Sequence, residues 1–150
     1  MRRALRQSCR VRFDFRCGYY GVSESNIGAE MTVDHFQPRV HGGEEGADNL
    51  VYSCHTCNEF KCDYWKIEPD FHLLHPLLDN RALHYRRQDD GKRYAMTERV
   101  ANHMNVLHLN RPELVAFRLE QSEIALLQRL NQKLRQQLLK AQQTTYRLDT

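Results

Sequence analysis

The segment that decides the fold covers residues 34–61 and reads DHFQPRVHGGEEGADNLVYSCHTCNEFK. It opens on the polar pair Asp34-His35 and closes on a CxxC motif that is followed by Asn58 and Lys61. A carboxylate, an imidazole, an amide and two thiols within one short segment can bind metal ions and move protons. The segment therefore carries chemistry as well as structure.

Two strands and a helix are predicted here. Residues 31–33 lead directly into Asp34-His35 and favour a short strand that ends at this pair. Residues 38–49 contain three glycines and predict a loop, and residues 50–52, Leu-Val-Tyr, predict a second short strand. No helix-breaking residue occurs between positions 56 and 65, which favours a short helix.

The flanking sequence predicts three further helices and a hairpin. Residues 1–13 place apolar residues and arginines on different faces at helical spacing, which indicates an amphipathic helix. An Asp-Gly turn favours a hairpin with strands in residues 82–87 and 92–97. Residues 98–108 predict a short helix, and Pro112 is well suited to start a long one that runs to about residue 143.

The last helix carries an apolar stripe. Its members recur three or four residues apart and are Ile124, Leu127, Leu130, Leu134 and Leu138. The stripe fits a helix packed on its own domain. It also fits a dimerising coiled coil, although Asn131 interrupts a strict heptad seam. Both interpretations stay open.

Composition limits the class of protein. The net charge is +3, with six arginines and one aspartate in the first 16 residues, a net acidic middle and a net basic final segment. No apolar run approaches the roughly 20 residues of a membrane span, and no apolar block follows the basic start as in a secretory signal. A cytoplasmic location is therefore expected. Five cysteines with one CxxC pair suit a reduced compartment better than a disulfide framework.

The residues of the central segment suit phosphodiester hydrolysis. That reaction needs a base that deprotonates water and a cation that neutralises the developing charge. His35 fits the base because imidazole titrates near working pH, and Asp34 and Asn58 offer oxygens for Mg²⁺ or Mn²⁺. A structural interpretation also exists: Asp34-His35 as a polar strand end with a hydrogen-bonded histidine, and Asn58 as a residue of the first helical turn.

The ordered string of motifs resembles the HNH endonuclease family, the zinc-ribbon branch of the ββα-metal (His-Me finger) nucleases. In chain order it consists of Cys17, Asp34-His35, the Gly-Gly loop, Asn49-Leu50-Val51 and CxxCNxxK, and it covers about residues 10–65. The resemblance implies an α+β protein. Residues 1–66 would form a ββα-metal core with a basic N-terminal helix, and residues 67–150 a packed extension that ends in the long helix.

The resemblance also implies a reaction and roles for individual residues. The reaction is hydrolysis of phosphodiester bonds in DNA, with His35 as general base and with Asp34 and Asn58 as ligands of the catalytic Mg²⁺ or Mn²⁺. Asn49 would hold the loop and orient His35 by hydrogen bonding. Asn58 stands where other members have histidine, which favours harder cations. A monomer is expected to nick one strand, and a dimer formed through the last helix to cut both.

The structural zinc site of the family is incomplete in this sequence. The family holds zinc with two CxxC pairs, and here Tyr20 replaces one of the four cysteines. A phenol is a poor substitute for a thiolate. Three interpretations stay open: zinc is absent and Tyr20 fills the space; zinc binds to Cys17, Cys54 and Cys57 with a substitute such as Cys9, Cys62, a histidine or water; or Tyr20 is an error or a decayed position.

Basic side chains are the predicted contacts to the phosphate backbone. They are Arg2, Arg3, Arg6 and Arg10 on the first helix, Arg39 after the catalytic pair, and Lys61 one helical turn after Asn58. The arginine face also fits simple solvation. DNA is the expected partner, RNA stays open, and no membrane partner is expected. The rival function, which Tyr20 favours, is a non-catalytic nucleic-acid-binding or interaction protein on a degenerate HNH scaffold.

Overall fold

A computed structural model of the chain describes residues 3–80 and 83–148, with side chains as far as residue 143. The described chain is α+β, as predicted, with helices and two separate two-stranded antiparallel sheets. The helices are α1 (Arg3–Arg12), α2 (Glu24–Ile27), α3 (His55–Lys61), α4 (Glu98–Val106) and α5 (Pro112–Leu148). The strands are β1 (Thr32–His35), β2 (Leu50–Ser53), β3 (Tyr85–Arg87) and β4 (Arg93–Ala95).

The hairpin of β1 and β2 matches the prediction closely. β1 ends at His35, and β2 is buried along its whole length. α3 begins directly after β2 but ends at Lys61, earlier than the sequence predicts. The helix stops because Cys62 has a φ of +47°, outside the helical region. A non-glycine residue in this conformation gives no sequence signal, which explains the overestimated length.

Arg10 joins α1 to α2. Its Nε and Nη2 donate hydrogen bonds of 2.7 and 2.6 Å to the carboxylate of Glu24, and its Nη1 lies 3.3 Å from Glu30. The hydrogen bond from Arg10 lowers the pKa of Glu24. Cys9, on the apolar face of the same helix, is fully buried. The amphipathic helix is thus confirmed from residue 3 onward, while residues 1 and 2 lie outside the described part.

Residues 67–80, 83–87 and 93–111 belong to the same compact unit as the β1–β2 hairpin. The Nε2 atom of His75 lies 2.9 Å from the carbonyl oxygen of Asp48, and the His75 ring packs edge-on 4.5 Å from Phe36. The predicted boundary after residue 66 therefore falls inside a compact unit. That unit comprises Met1–Arg87 with Arg93–Arg111, and a second unit comprises Gln88–Lys92 with Pro112–Thr150.

The later elements also follow the prediction. β3 and β4 pair antiparallel, and Gly91 in the connecting turn has a φ of +74°, which glycine adopts without steric cost. The start of the predicted first strand, residue 82, lies outside the described residues. α4 covers most of the predicted helix, and α5 continues a little beyond its predicted end.

α5, taken by itself, carries its apolar stripe on the surface. The five stripe residues named above are between 42% and 60% exposed. The apolar stripe is therefore not buried by other described residues of its own unit. None of the described helices is both long and apolar enough to cross a membrane.

Candidate functional site

The hairpin and α3 carry the predicted catalytic residues. Asp34 lies opposite Val51 and His35 opposite Leu50 in the antiparallel register. Asn58 lies on α3, one turn before Lys61, so both project from the same face of that helix.

A buried network fixes the end of β1. The Lys61 amine lies 3.1 Å from Oδ2 of Asp34 and donates a 2.7 Å hydrogen bond to the carbonyl oxygen of His35. The hydroxyl of Tyr19 donates a 2.5 Å hydrogen bond to the same Oδ2. Burial raises the pKa of the Asp34 carboxyl, and the charge of Lys61 opposes this shift. The network ties α3 to the backbone of His35.

The location of Lys61 corrects its predicted role. The side chain is 0% exposed, and its amine is occupied by Asp34 and His35. A phosphate backbone cannot approach an amine that is enclosed in this way. Lys61 instead links α3 to the end of β1, and its amine, which in most lysines reaches solvent, is here enclosed within the unit.

Three predicted site residues keep polar atoms free of internal hydrogen bonds. Nε2 of His35 is buried and has no hydrogen-bond partner among the described residues. Oδ1 of Asp34 accepts no hydrogen bond from any described residue, because the contacts of Tyr19 and Lys61 are both to Oδ2. The side chain of Asn58 likewise makes no hydrogen bond to any described residue, although its backbone is bonded within α3. Buried polar groups are usually satisfied, so a free imidazole needs an explanation.

Asn49 holds the loop between the strands. Its Oδ1 accepts a 2.7 Å hydrogen bond from the backbone N–H of Gln37, and its Nδ2 donates to the carbonyl oxygens of Gln37 and Glu44 at 3.0 and 2.8 Å. Its own carbonyl oxygen accepts from the N–H of Phe36 at 2.7 Å. The bonds reach the two residues after His35 and not the imidazole itself.

Gly43→Ala is expected to disrupt this loop. A Cβ atom at Gly43 would lie 1.8 Å from the carbonyl oxygen of Gln37 and 2.9 Å from Nδ2 of Asn49. Overpacking of this kind costs about 1–3 kcal/mol or more, since the clash is with backbone. Gly46→Ala is the matched control, because nothing lies within 4 Å of a Cβ there. Urea unfolding measures both variants, and equal midpoints would contradict the close approach.

Three buried thiols form a second candidate site. The Sγ atoms of Cys17, Cys54 and Cys57 all lie within 4.8 Å of one another. Burial raises the pKa of the Cys17 thiol, but hydrogen bonds from Cys54 and Cys57 outweigh it and bring that pKa well below its usual value. Cys9 and Cys62 do not belong to this group. The structure therefore gathers the three cysteines that the sequence indicates and leaves out its two suggested substitutes.

Tyr20 and Arg111 lie beside the thiols. Burial raises the pKa of the Tyr20 phenol to about 12, so it is neutral at physiological pH. The guanidinium of Arg111 lies 5.6 Å from the Tyr20 ring and 5.5 Å from the Phe60 ring, and its Nη2 is 3.9 Å from Sγ of Cys57. A fixed positive charge thus stands at the edge of the thiol cluster.

The predicted phosphate-contacting arginines differ in availability. Arg3 is exposed. Arg39 is 70% exposed and lies 3.5 Å from Glu45. Arg6 donates to the carbonyl oxygen of Met31 at 2.6 Å, and Arg10 is occupied by the carboxylates on and after α2. Arg2 lies outside the described residues. Arg3 and Arg39 are therefore the arginines of this set with the most accessible charge.

Sequence reasoning missed two residues of these sites. Tyr19 is fully buried against Asp34, and Arg111 approaches Cys57 across 54 positions of the chain. A tyrosine two residues after a cysteine carries no recognisable signal. Arg111 precedes the proline that starts α5, so the sequence indicates that it lies just before that helix. The sequence does not indicate that Arg111 contacts Cys57.

The β1–β2 hairpin, α3 and the three clustered thiols lie within one continuous segment of the chain. The family model described as HNH endonuclease matches residues 14–63, about a third of the chain. This part of the chain is therefore similar to the HNH endonuclease family, and the similarity suggests a nuclease or another nucleic-acid-related function. No curated protein and no solved structure matches the chain.

Proposed function

We propose that this chain is an HNH endonuclease with a ββα-metal core that hydrolyses phosphodiester bonds in DNA with Mg²⁺ or Mn²⁺. The observation that carries the proposal is the His35 imidazole, whose buried Nε2 has no hydrogen-bond partner among the described residues. A structural histidine usually has a partner. A general base instead keeps a ring nitrogen free to take a proton from water.

The residues present fit a hard divalent cation. Oδ1 of Asp34 and the side-chain oxygen of Asn58 are oxygen ligands without competing hydrogen bonds from described residues, and Mg²⁺ commonly accepts one or two protein ligands plus waters and phosphate oxygens. When bound, the cation neutralises the charge that develops on the phosphate. Asp34 and His35 leave opposite faces of β1, so we place the phosphate at the end of the strand, where His35 is the last residue.

Two positioning residues support His35 from either side. Lys61 holds the carbonyl oxygen of His35, and Asn49 holds both backbone groups of Gln37. The backbone on which the imidazole stands is therefore fixed before substrate binds. Such preorganisation matters because misplacing a catalytic group by about 1 Å can reduce the rate about a hundredfold.

The test is conversion of supercoiled plasmid to nicked and linear forms in Mg²⁺ or Mn²⁺. His35→Ala is expected to lower the rate by about 10²–10⁴-fold, the usual contribution of a general base. His55→Ala is the matched control, since His55 is exposed on α3 and outside the site. EDTA is expected to stop the reaction. An RNA substrate in parallel distinguishes the two nucleic acids.

Two results would contradict the proposal. Cleavage by His35→Ala at the rate of the parent protein would remove His35 from the reaction. Absence of cleavage with either cation, by protein whose circular dichroism shows it to be folded, would favour the non-catalytic binding function on a degenerate HNH scaffold.

The thiol cluster is proposed to bind zinc through Cys17, Cys54 and Cys57. A Zn–S distance of about 2.3 Å places the sulfurs of a tetrahedral site about 3.8 Å apart, which the 4.8 Å grouping allows with little movement. Three thiolates exceed the charge of Zn²⁺ by one, and the guanidinium of Arg111 beside Cys57 balances it. Water is the remaining ligand, because a neutral Tyr20 phenol is a poor one.

The exposed stripe of α5 is proposed to pair with that of a second copy. When Ile124 is assigned to an a position, Leu127 and Leu134 fall at d and Asn131 falls at a. A single asparagine at an a position is a known determinant of two-stranded coiled coils. Asn131, which interrupts the apolar seam, therefore also specifies that two helices pair. Two catalytic sites in one particle would permit cleavage of both strands.

Light scattering after size exclusion tests this pairing. The parent chain, of 17.8 kDa, is expected to give twice its mass, and Leu134→Glu is expected to give the monomer mass. Leu126→Glu serves as control, because Leu126 is 56% exposed but lies off the stripe. A monomeric parent protein at micromolar concentration would refute the dimer.

A further inference from the structure

A shallow, open cavity of about 440 Å³ lies beside the loop that follows His35. Its lining includes Phe36, Gln37, Glu44, Asp48, Asn49 and Trp65. The volume falls within the range of about 300–1,000 Å³ that is usual for small-molecule sites. Phe36, one of the lining residues, follows His35 directly in the chain, so the cavity borders the segment that carries the proposed catalytic base.

Aromatic rings form one wall of this cavity. Phe36 is 5% exposed and meets Trp65 edge-on, with 5.8 Å between ring centroids. Trp65 also meets His72 edge-on at 5.1 Å, and Phe36 meets His75 at 4.5 Å. These contacts fix the tryptophan while part of its surface stays accessible. A fixed, partly exposed indole is suited to stacking against a flat ligand.

The polar wall offers hydrogen-bond acceptors. The side chain of Asn49 and the backbone of Gln37 satisfy each other, and Nε2 of Gln37 donates to His41. The carboxylates of Glu44 and Asp48 are exposed and make no hydrogen bond or ion pair with other described residues. A ligand that stacks here therefore gains most if it donates hydrogen bonds. A phosphate group would be repelled.

We propose that this cavity binds an unpaired nucleobase with an exocyclic amino group, next to the phosphate that is cut. The inference rests on the proposed function and adds a preference to it. Adenine, cytosine and guanine present amino donors to a carboxylate, whereas thymine presents mainly acceptors. A base inside a duplex cannot enter a pocket of this kind, so the bound nucleotide is single-stranded or turned out of the helix.

Trp65 provides a direct measurement, because it is the only tryptophan of the chain. Single-stranded hexanucleotides of dA, dC and dT are added to the full-length protein in buffer without added Mg²⁺ or Mn²⁺, so that the proposed cleavage is not supported and any bound zinc is retained. Saturable quenching of tryptophan fluorescence is expected with dA and dC, and binding of dT is expected to be about tenfold weaker or more, as loss of a charge-assisted hydrogen bond implies. Inorganic phosphate is expected to cause no quenching.

Variants separate base recognition from general attraction. Glu44→Gln combined with Asp48→Asn is expected to bring the dA-to-dT affinity ratio close to one, even though the lost negative charge raises affinity for both. Asp70→Asn, an exposed carboxylate outside the cavity, is expected to leave the ratio unchanged. Circular dichroism confirms that each variant is folded.

Several outcomes would overturn the inference. They are absence of quenching by every oligonucleotide, equal affinity for dA and dT, an unchanged ratio in the double variant, and tighter quenching by arginine amide, which would assign the cavity to a cationic side chain. The plasmid assay is independent. Base preference without cleavage would refute the proposed nuclease and support the nucleobase pocket. Cleavage without base preference would support the nuclease and refute the pocket.

Discussion

Lys61→Met is expected to lower the free energy of unfolding by about 3–5 kcal/mol, the usual cost of removing one partner of a buried ion pair. The Lys61 side chain is 0% exposed and its amine lies 3.1 Å from Oδ2 of Asp34. Methionine preserves most of the volume but leaves that carboxylate buried with the Tyr19 hydroxyl as its remaining partner. The carbonyl oxygen of His35 loses its hydrogen bond as well. Urea unfolding followed by circular dichroism measures the effect.

Two comparisons isolate the buried pair from other effects of the substitution. Lys66→Met changes an exposed lysine in the same unit and is expected to change stability by less than about 0.5 kcal/mol. Adding Asp34→Asn to Lys61→Met removes the orphaned charge and is expected to restore part of the loss, since replacing both partners of a buried pair is often tolerated. If Lys61→Met unfolded at the same urea concentration as the parent, the buried network would be refuted.

The sequence predicts the hairpin and α3 well because their signals are local. A short apolar run leads into the polar pair at 34–35, glycines mark the loop, and residues 50–53 form a wholly buried strand. The end of α3 is not predictable in the same way. Cys62 takes a φ of +47°, a conformation that most residues avoid and that only the surrounding packing can impose.

The sequence predicts which residues form the site. It does not predict which of them contact one another. Asp34 and His35 are adjacent in the chain, and Asn58 follows a recognisable motif. Lysine is almost never fully buried, so the sequence alone does not predict that Lys61 lies in the interior. The partner that makes the burial tolerable, Asp34, lies 27 residues away. Pairings over such distances depend on the fold and leave no periodic pattern.

Removal of zinc, or of one of its ligands, is expected to give the second large loss of stability. Structural zinc contributes roughly 10 kcal/mol in small zinc peptides. A third of that value, about 3.3 kcal/mol for this three-thiol cluster, would lower the unfolding temperature by roughly 7–13 °C. Cys57→Ser is expected to produce this shift and to abolish zinc retention, because the Cys57 side chain is fully buried within the cluster. Metal analysis of the purified protein and thermal unfolding with and without chelator provide the measurements.

The matched control is Cys62→Ser, which removes an exposed thiol outside the cluster and is expected to leave zinc content and unfolding temperature unchanged. Arg111→Gln separates charge from packing: it keeps a polar group of similar length beside Cys57 but removes the positive charge, so zinc is expected to bind more weakly. The expected result is one equivalent of zinc in the parent protein, which is lost in Cys57→Ser and retained in Cys62→Ser. It would mean that three thiolates, with a guanidinium beside them, replace the four cysteines of the family as the zinc site. A parent protein free of zinc, with an unfolding temperature that chelator does not change, would assign the space to Tyr20 and Arg111 as packing alone.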